Sequence, residues 1–216
     1  MDALLQAAED LRWLLGRGYP RDPALTLVGN RYALEAKWRE VLKRGVLPPE
    51  VASRRRSKLL PPEALEGEEV ALDGHNVLIT LRSALRGETV LLADDGLVRD
   101  TAGLSAAFRP DEVAEKALHL VLETLSQLRP REIIFLLDAP MSRSGELAAK
   151  IRRNLEKWGL RGDAKAVPVP ERLLEGFRGV VCSGDGAVVD RAEKVFDLAG
   201  FIVQERLKCP LLRLKG

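Results

Sequence analysis

The sequence predicts an α/β protein: a three-layer αβα sandwich around a mostly parallel sheet, preceded by a small all-α N-terminal domain. Three observations carry this reading. Up to residue 58 the apolar residues recur at helical spacing. From Glu69 onward short apolar runs alternate with amphipathic stretches, as in βαβ units. Ile133-Ile134-Phe135-Leu136-Leu137 is apolar at every position, which suits a strand covered by helices on both faces.

The elements follow in chain order. Leu4, Leu5, Ala8, Leu11 and Leu15 form a helical stripe behind Asp2, a suitable cap, and Gly16 and Gly18 end it. Arg21-Asp22-Pro23 opens a second, longer helix, unless Gly29-Asn30 delays its regular part until Arg31, and Leu34, Trp38, Val41 and Leu42 mark its apolar face up to Gly45. Trp13 and Trp38 are expected in the core of this region. A short third helix starts near Pro48-Pro49-Glu50 and carries Arg54, Arg55 and Arg56. The stretch 59–68, with Pro61-Pro62, has linker chemistry, so the domains are expected at 1–58 and 69–216. In the second, strands are expected at 70–72, 90–93, 133–137, 165–169, 180–182 and 201–204, and helices at 77–85, 111–128, 145–158 and 187–198. Asp94-Asp95-Gly96 lies between two apolar runs and predicts a hairpin there.

Composition narrows the function. Hydrophobic residues make up 46% and charged residues 31% of 216, which excludes a disordered chain, and no apolar run nears the roughly 20 residues of a spanning helix. The two cysteines, Cys182 and Cys209, match neither a disulfide framework nor a zinc spacing, and with no leader-like N-terminus the expected address is the cytoplasm. Cys182 falls in a buried strand and should be inert. Abundant Arg, Glu and Leu lean toward a thermophile. The net charge of +2 is uneven: nine basic and three acidic residues lie between Arg31 and Lys58, a local +6 able to hold a phosphate backbone. Dinucleotide, nucleoside-triphosphate and serine-hydrolase signatures are all missing.

The acids sit where an open α/β sheet binds ligands, just past the carboxyl ends of its strands. The first strand runs into Asp73-Gly74-His75-Asn76, the central one into Asp138-Ala139-Pro140, and a later one into Ser183-Gly184-Asp185-Gly186, with Asp190 one helical turn on. Three such carboxylates converge if their strands are neighbours, and then either their pKa values rise or a cation lies between them. Oxygen ligands alone favour Mg²⁺ or Mn²⁺ and phosphoryl chemistry. Ser142, Arg143 and Ser144 open a helix after Asp138 and are candidates to hold a phosphate. His75 is expected beside the site as a turn residue, and His119 in packing or at the surface.

Asp73-Gly74-His75-Asn76, Phe135-Leu136-Leu137-Asp138 and Val181-Cys182-Ser183-Gly184-Asp185-Gly186, in that order, resemble the PIN-like superfamily of metal-dependent ribonucleases and its NYN branch, over roughly residues 69–205. The whole layout also resembles an uncharacterised family of archaeal and thermophile proteins with a basic helical region in front. The resemblance implies a PIN-like fold, Asp73, Asp138 and Asp185 as metal ligands, and Asn76 and Ser183 as positioning or substrate-binding residues. One position departs: Ala187 stands where a second Asp is usual, and Asp190 takes its place in the expected catalytic set. Glu112 and Glu115 are candidates for the family's helix carboxylate by position alone. The expected function is a Mg²⁺- or Mn²⁺-dependent ribonuclease, with RNA gripped by Arg54, Arg55 and Arg56, no membrane partner, and room for a homodimer. The alternatives are a catalytically silent PIN-like module that binds RNA or protein, and a metal-dependent phosphatase or toprim-like phosphotransfer enzyme.

Overall fold

A computed structural model describes residues 2–101, 111–141 and 143–215. It shows the α/β class with a parallel sheet and a helical N-terminal region. The helical region has four helices: α1 (Asp2–Gly16), α2 (Arg21–Arg31), α3 (Ala36–Gly45) and α4 (Pro49–Arg56). The single long second helix expected from the sequence is therefore two. Ala33, at φ 49°, breaks the chain between them, and α2 is only weakly amphipathic, which blurred the division. Leu4, Ala7, Ala8, Leu11, Val28, Val41 and Leu42 bury one another in this region. Trp13 does not join them. It is 58% exposed, with the Arg17 guanidinium 5.0 Å over its ring.

Past residue 68 the elements are β1 (Glu69–Asp73), α5 (Gly74–Leu85), β2 (Val90–Leu92), β3 (Val98–Asp100), α6 (Glu112–Leu128), β4 (Glu132–Asp138), α7 (Ser144–Lys157), β5 (Gly162–Val167), α8 (Pro170–Glu175), β6 (Val180–Cys182), α9 (Gly186–Arg191), β7 (Lys194–Val195), α10 (Leu198–Phe201) and β8 (Leu212–Arg213). The main sheet runs β5-β4-β1-β6-β7, and every pairing in it is parallel. The chain builds outward from β1 on one side, then returns to build on the other. Val70, Leu72, Ile133, Phe135 and Leu137 face one core, with α5, α6 and α7; Ala71, Leu136 and Val181 face a second, with α8 and α9. This two-sided burial is what the unbroken apolar run in β4 encodes.

A smaller sheet, β3-β2-β8, carries the expected hairpin, with β2 and β3 antiparallel around Asp94-Asp95-Gly96. Leu91 from β2 and Leu214 just past β8 are buried within the helical region's core, so the two regions share apolar cover. The stretch 59–68 is held along the main sheet: Leu59 bridges Val195 in parallel, the Leu60 N–H donates to the Val195 carbonyl at 2.8 Å, and Leu65 is fully buried.

Two expected elements differ. Residues 201–204 form helical turns, Leu198–Phe201 continuing into a π-turn over Ile202–Arg206, and not a strand. Ile202 and Val203 are buried in the large core, and a short apolar run has the same pattern whether strand or buried helix. The helix expected over 187–198 is three short pieces, because Asp185 caps α9, the chain then enters β7, and Asp197 caps α10 through the Gly200 N–H. Among the described residues no helix is long and apolar enough to cross a membrane.

Candidate functional site at the switch point of the sheet

The direction of chain growth reverses between β1 and β6, and ligands of open parallel sheets bind in the crevice at such a switch point, beyond the carboxyl ends. Asp73 ends β1; Ser183, Gly184 and Asp185 follow β6; Asp138 ends the other neighbour of β1. The three sequence-predicted carboxylates thus stand on three adjacent strands, with β1 in the middle.

Asp73 is 7% exposed. One carboxylate oxygen accepts from the Asn76 N–H at 3.3 Å, capping α5, and the other from the Ser183 hydroxyl at 2.9 Å. Burial pushes its pKa up to about 7; these two bonds oppose the rise, while Asp138 and Asp185 add to it. Ser183, itself buried, also accepts from the Asp185 N–H at 3.0 Å, so it locks the loop rather than meeting a ligand. The Asn76 side-chain carbonyl accepts from the Gly184 N–H at 2.7 Å and ties α5 to that loop. Asp185 caps α9 by accepting from the Ala187 and Val188 N–H groups.

Asp138 is beside His75. The imidazole Nδ1 lies 3.0 Å from the Asp138 backbone N–H, which donates to it. The same nitrogen is 3.2 Å from Asp138 Oδ2. Burial lowers the His75 pKa, against the pull of Asp138. Gly74 lets the start of α5 approach β4 closely: a Cβ would meet Leu137 Cδ2 at 2.5 Å.

The remaining predicted residues are placed as follows. Ser144 is buried and its hydroxyl reaches the Asp138 and Met141 carbonyls at 2.5 and 2.6 Å, closing the loop after β4. Arg143 takes a left-handed φ of 63° and pairs with Glu146 at the surface; Ser142 lies outside the described residues. Asp190 does not join the other acids. Arg55 holds it at 2.8 Å and Arg54 at 3.1 Å, and these bonds keep its pKa down at about 2. Arg55, only 8% exposed, also reaches the fully buried Asp95 at 3.2 Å, and Arg99 grips that same carboxylate with two 2.8 Å bonds. Burial alone would raise the Asp95 pKa, yet the Arg99 guanidinium holds it below the ordinary range. Arg56 donates to the Asp94 carbonyl at 2.6 Å. The basic run therefore fastens α4 to the hairpin and to α9, and Arg54 and Arg56 remain exposed while Arg55 is buried. Glu115 pairs with Lys150 at the surface.

Of the three carboxylates Asp185 lines a cleft of about 580 Å³ between the helical region and the strand ends. Asn76, Gly184 and Asp185 line one wall, and Arg21, Lys43 and Arg44 the other. Sequence reasoning missed Arg21 and Arg99: Arg21 reads as a helix-start residue and Arg99 as part of a hairpin, and only the fold brings them together. Among the described residues no group of three or more His, Cys, Asp or Glu side chains is gathered closely enough to cage a metal ion. A hard cation such as Mg²⁺ keeps several waters and is usually held by one or two carboxylates plus substrate phosphates, a mode that needs no closed cage of protein ligands.

The profile described as "Domain of unknown function (DUF5616)" matches residues 62–201, and that described as "Protein of unknown function (DUF434)" matches residues 3–58. The uncharacterized protein MJ0935 of Methanocaldococcus jannaschii is 31% identical over 195 residues, which cover 89% of this chain and 93% of that protein. No solved structure matches.

Proposed function

The chain belongs to the DUF5616 family, and for it we propose a divalent-metal-dependent ribonuclease on a PIN-like version of this sheet, acting at the switch point. The observation that carries the proposal is the placement of Asp73, Asp138 and Asp185 on three neighbouring strand ends around the point where the chain order reverses. A carboxyl that burial and its acidic neighbours push up to about 7 favours a cation that lets it ionise. One or two of Asp73, Asp138 and Asp185, with substrate phosphate oxygens, would hold Mg²⁺ or Mn²⁺, which when bound would supply charge neutralisation at a phosphodiester.

The chain's own residues supply the rest. Asn76 lines the cleft with its side-chain carbonyl already engaged by Gly184, so its amide N–H groups are the end that donates to a phosphate oxygen. Ser183 keeps Asp73 and Asp185 in register. His75 braces the backbone under Asp138. Cytoplasmic localisation and RNA as partner belong to this same reading.

The test is cleavage of labelled single-stranded and structured RNAs with Mn²⁺. Asp138→Asn and Asp185→Asn should each lower the rate by about 10²-fold or more, as removal of one electrostatic contributor at a reacting phosphate does, and EDTA should abolish cleavage. Cutting that survives EDTA and both substitutions refutes the proposal. One observation favours a silent binding module instead: Asp190, the expected replacement for the acid missing at Ala187, is held by Arg54 and Arg55 away from the others. RNA retention with no cleavage under any divalent ion would select that reading.

A further inference from the structure

The wall of the cleft facing the strand ends comes from the helical region, and its charges are not equally satisfied. Arg44 pairs with Glu40 and Asp100. Arg55 and Arg99 are committed to Asp95 and Asp190. Arg21 and Lys43 differ: among the described residues neither has a carboxylate within 4.0 Å. Arg21 is half-buried and donates to the Lys43 carbonyl and, at 3.0 Å, to the Val46 carbonyl, which aims its guanidinium across the carboxyl end of α3. Burial, then the like charge of Arg55 and that of Arg99, pulls its pKa down against the opposing pull of Asp22. Lys43, exposed on the next helix, completes the wall.

We propose that Arg21 and Lys43 form a phosphate subsite for the backbone of single-stranded RNA, holding it across the interdomain cleft from Asn76 and Asp185. A guanidinium fixed by backbone carbonyls is pre-ordered for a phosphate oxygen, and an ammonium beside it adds charge without demanding geometry. The cleft has two protein walls and a volume in the range of a small-molecule pocket, which admits a strand and not a duplex. The assignment deepens the ribonuclease reading by naming the strand-holding side chains, and rests on it for the choice of RNA.

The experiment measures fluorescence anisotropy of a labelled 12-nucleotide RNA against salt, in EDTA so that nothing is cut, with cleavage in Mn²⁺ assayed separately. Lys43→Glu and Arg21→Gln should each weaken binding by about tenfold, the usual worth of one charged hydrogen bond. Each should also flatten the slope of log affinity against log salt by about 0.7, one single-strand phosphate contact. Lys43→Glu, on an exposed side chain, keeps the test decisive if Arg21→Gln unfolds. If the folded variants bind with wild-type affinity and slope, or a duplex of the same length binds as tightly, the subsite is refuted while cleavage by the wild type leaves the nuclease reading standing. If the variants lose binding and the wild type never cuts, the subsite stands and the nuclease reading falls.

Discussion

Asp73 holds the densest chemistry in the molecule: a cap for α5, an acceptor for Ser183, and an acid whose pKa burial raises to about 7. Below the ordinary carboxyl range it is protonated folded and unfolded alike and costs nothing. As pH climbs from about 4 to about 7 the unfolded chain releases a proton that the folded one retains, so stability falls; above about 7 the whole penalty is present. Asp73→Asn removes this dependence. Its melting temperature relative to wild type should rise by several degrees between pH 4 and pH 8, read by calorimetry at constant ionic strength. Asp197, raised to about 6 by burial, slopes both proteins alike and cancels in the difference. A flat difference would show that Asp73 titrates normally. The acids themselves were legible in the sequence because an Asp after an apolar run marks a strand end. Their partners were not: the Asp190 bonds to Arg54 and Arg55 cross 136 and 135 residues, and no local spacing encodes them.

At the scale of elements, α3 meets the small sheet at a close approach. Gly45 ends the helix, and a Cβ there would lie 2.7 Å from Leu214 Cδ1 and 2.8 Å from Leu91 Cδ2. Both leucines are buried and cannot swing into solvent. Gly45→Ala should therefore destabilise by about 1–3 kcal/mol through overpacking, although alanine is the better helix former. Urea denaturation would check it, and unchanged stability would mean the two elements shift apart freely. Strong local signals gave most elements: the strands before Asp73 and Asp138, the hairpin at Asp94-Asp95-Gly96, and α6, whose expected start at Asp111 is the cap that accepts from the Ala114 N–H. The two failures past residue 187 share one cause. Residues 187–206 are short pieces set by tertiary contacts, with Asp197 accepting from Val98 on a distant strand as well as capping its own turn.

For the whole molecule, the two regions are joined by a charged network and not by apolar cover alone. Asp95 sits fully buried between Arg55 of the helical region and Arg99 of the hairpin, with Asp190 of α9 completing the set. Truncating such a carboxylate leaves buried guanidinium groups without their counter-charge. Asp95→Ala should cost about 3–5 kcal/mol, and the transition should remain single because both regions lose the same support. Two separate calorimetric transitions in the wild type would show that the regions fold independently. The division near residue 60 is visible in composition, since helical periodicity stops there. The interlock is not, because Leu91, Leu214 and Asp95 each look like ordinary residues of their own segment.

Strand β8 pairs with β2, and Leu214 beside it is buried among the first helices. Protein synthesis runs in one direction, so the helical region leaves the ribosome about 150 residues before this last piece of its cover. At roughly 5–20 residues per second, that interval lasts on the order of 10 s. Throughout it Leu42 and Val41 can collapse with their neighbours in α1, but the face that will take Leu214 stays wet. Final tightening of the amino-terminal helices is thus timed by the far end of the chain. A nascent polypeptide arrested at residue 205 would carry a looser, protease-sensitive front half even though every one of those helices had already been made.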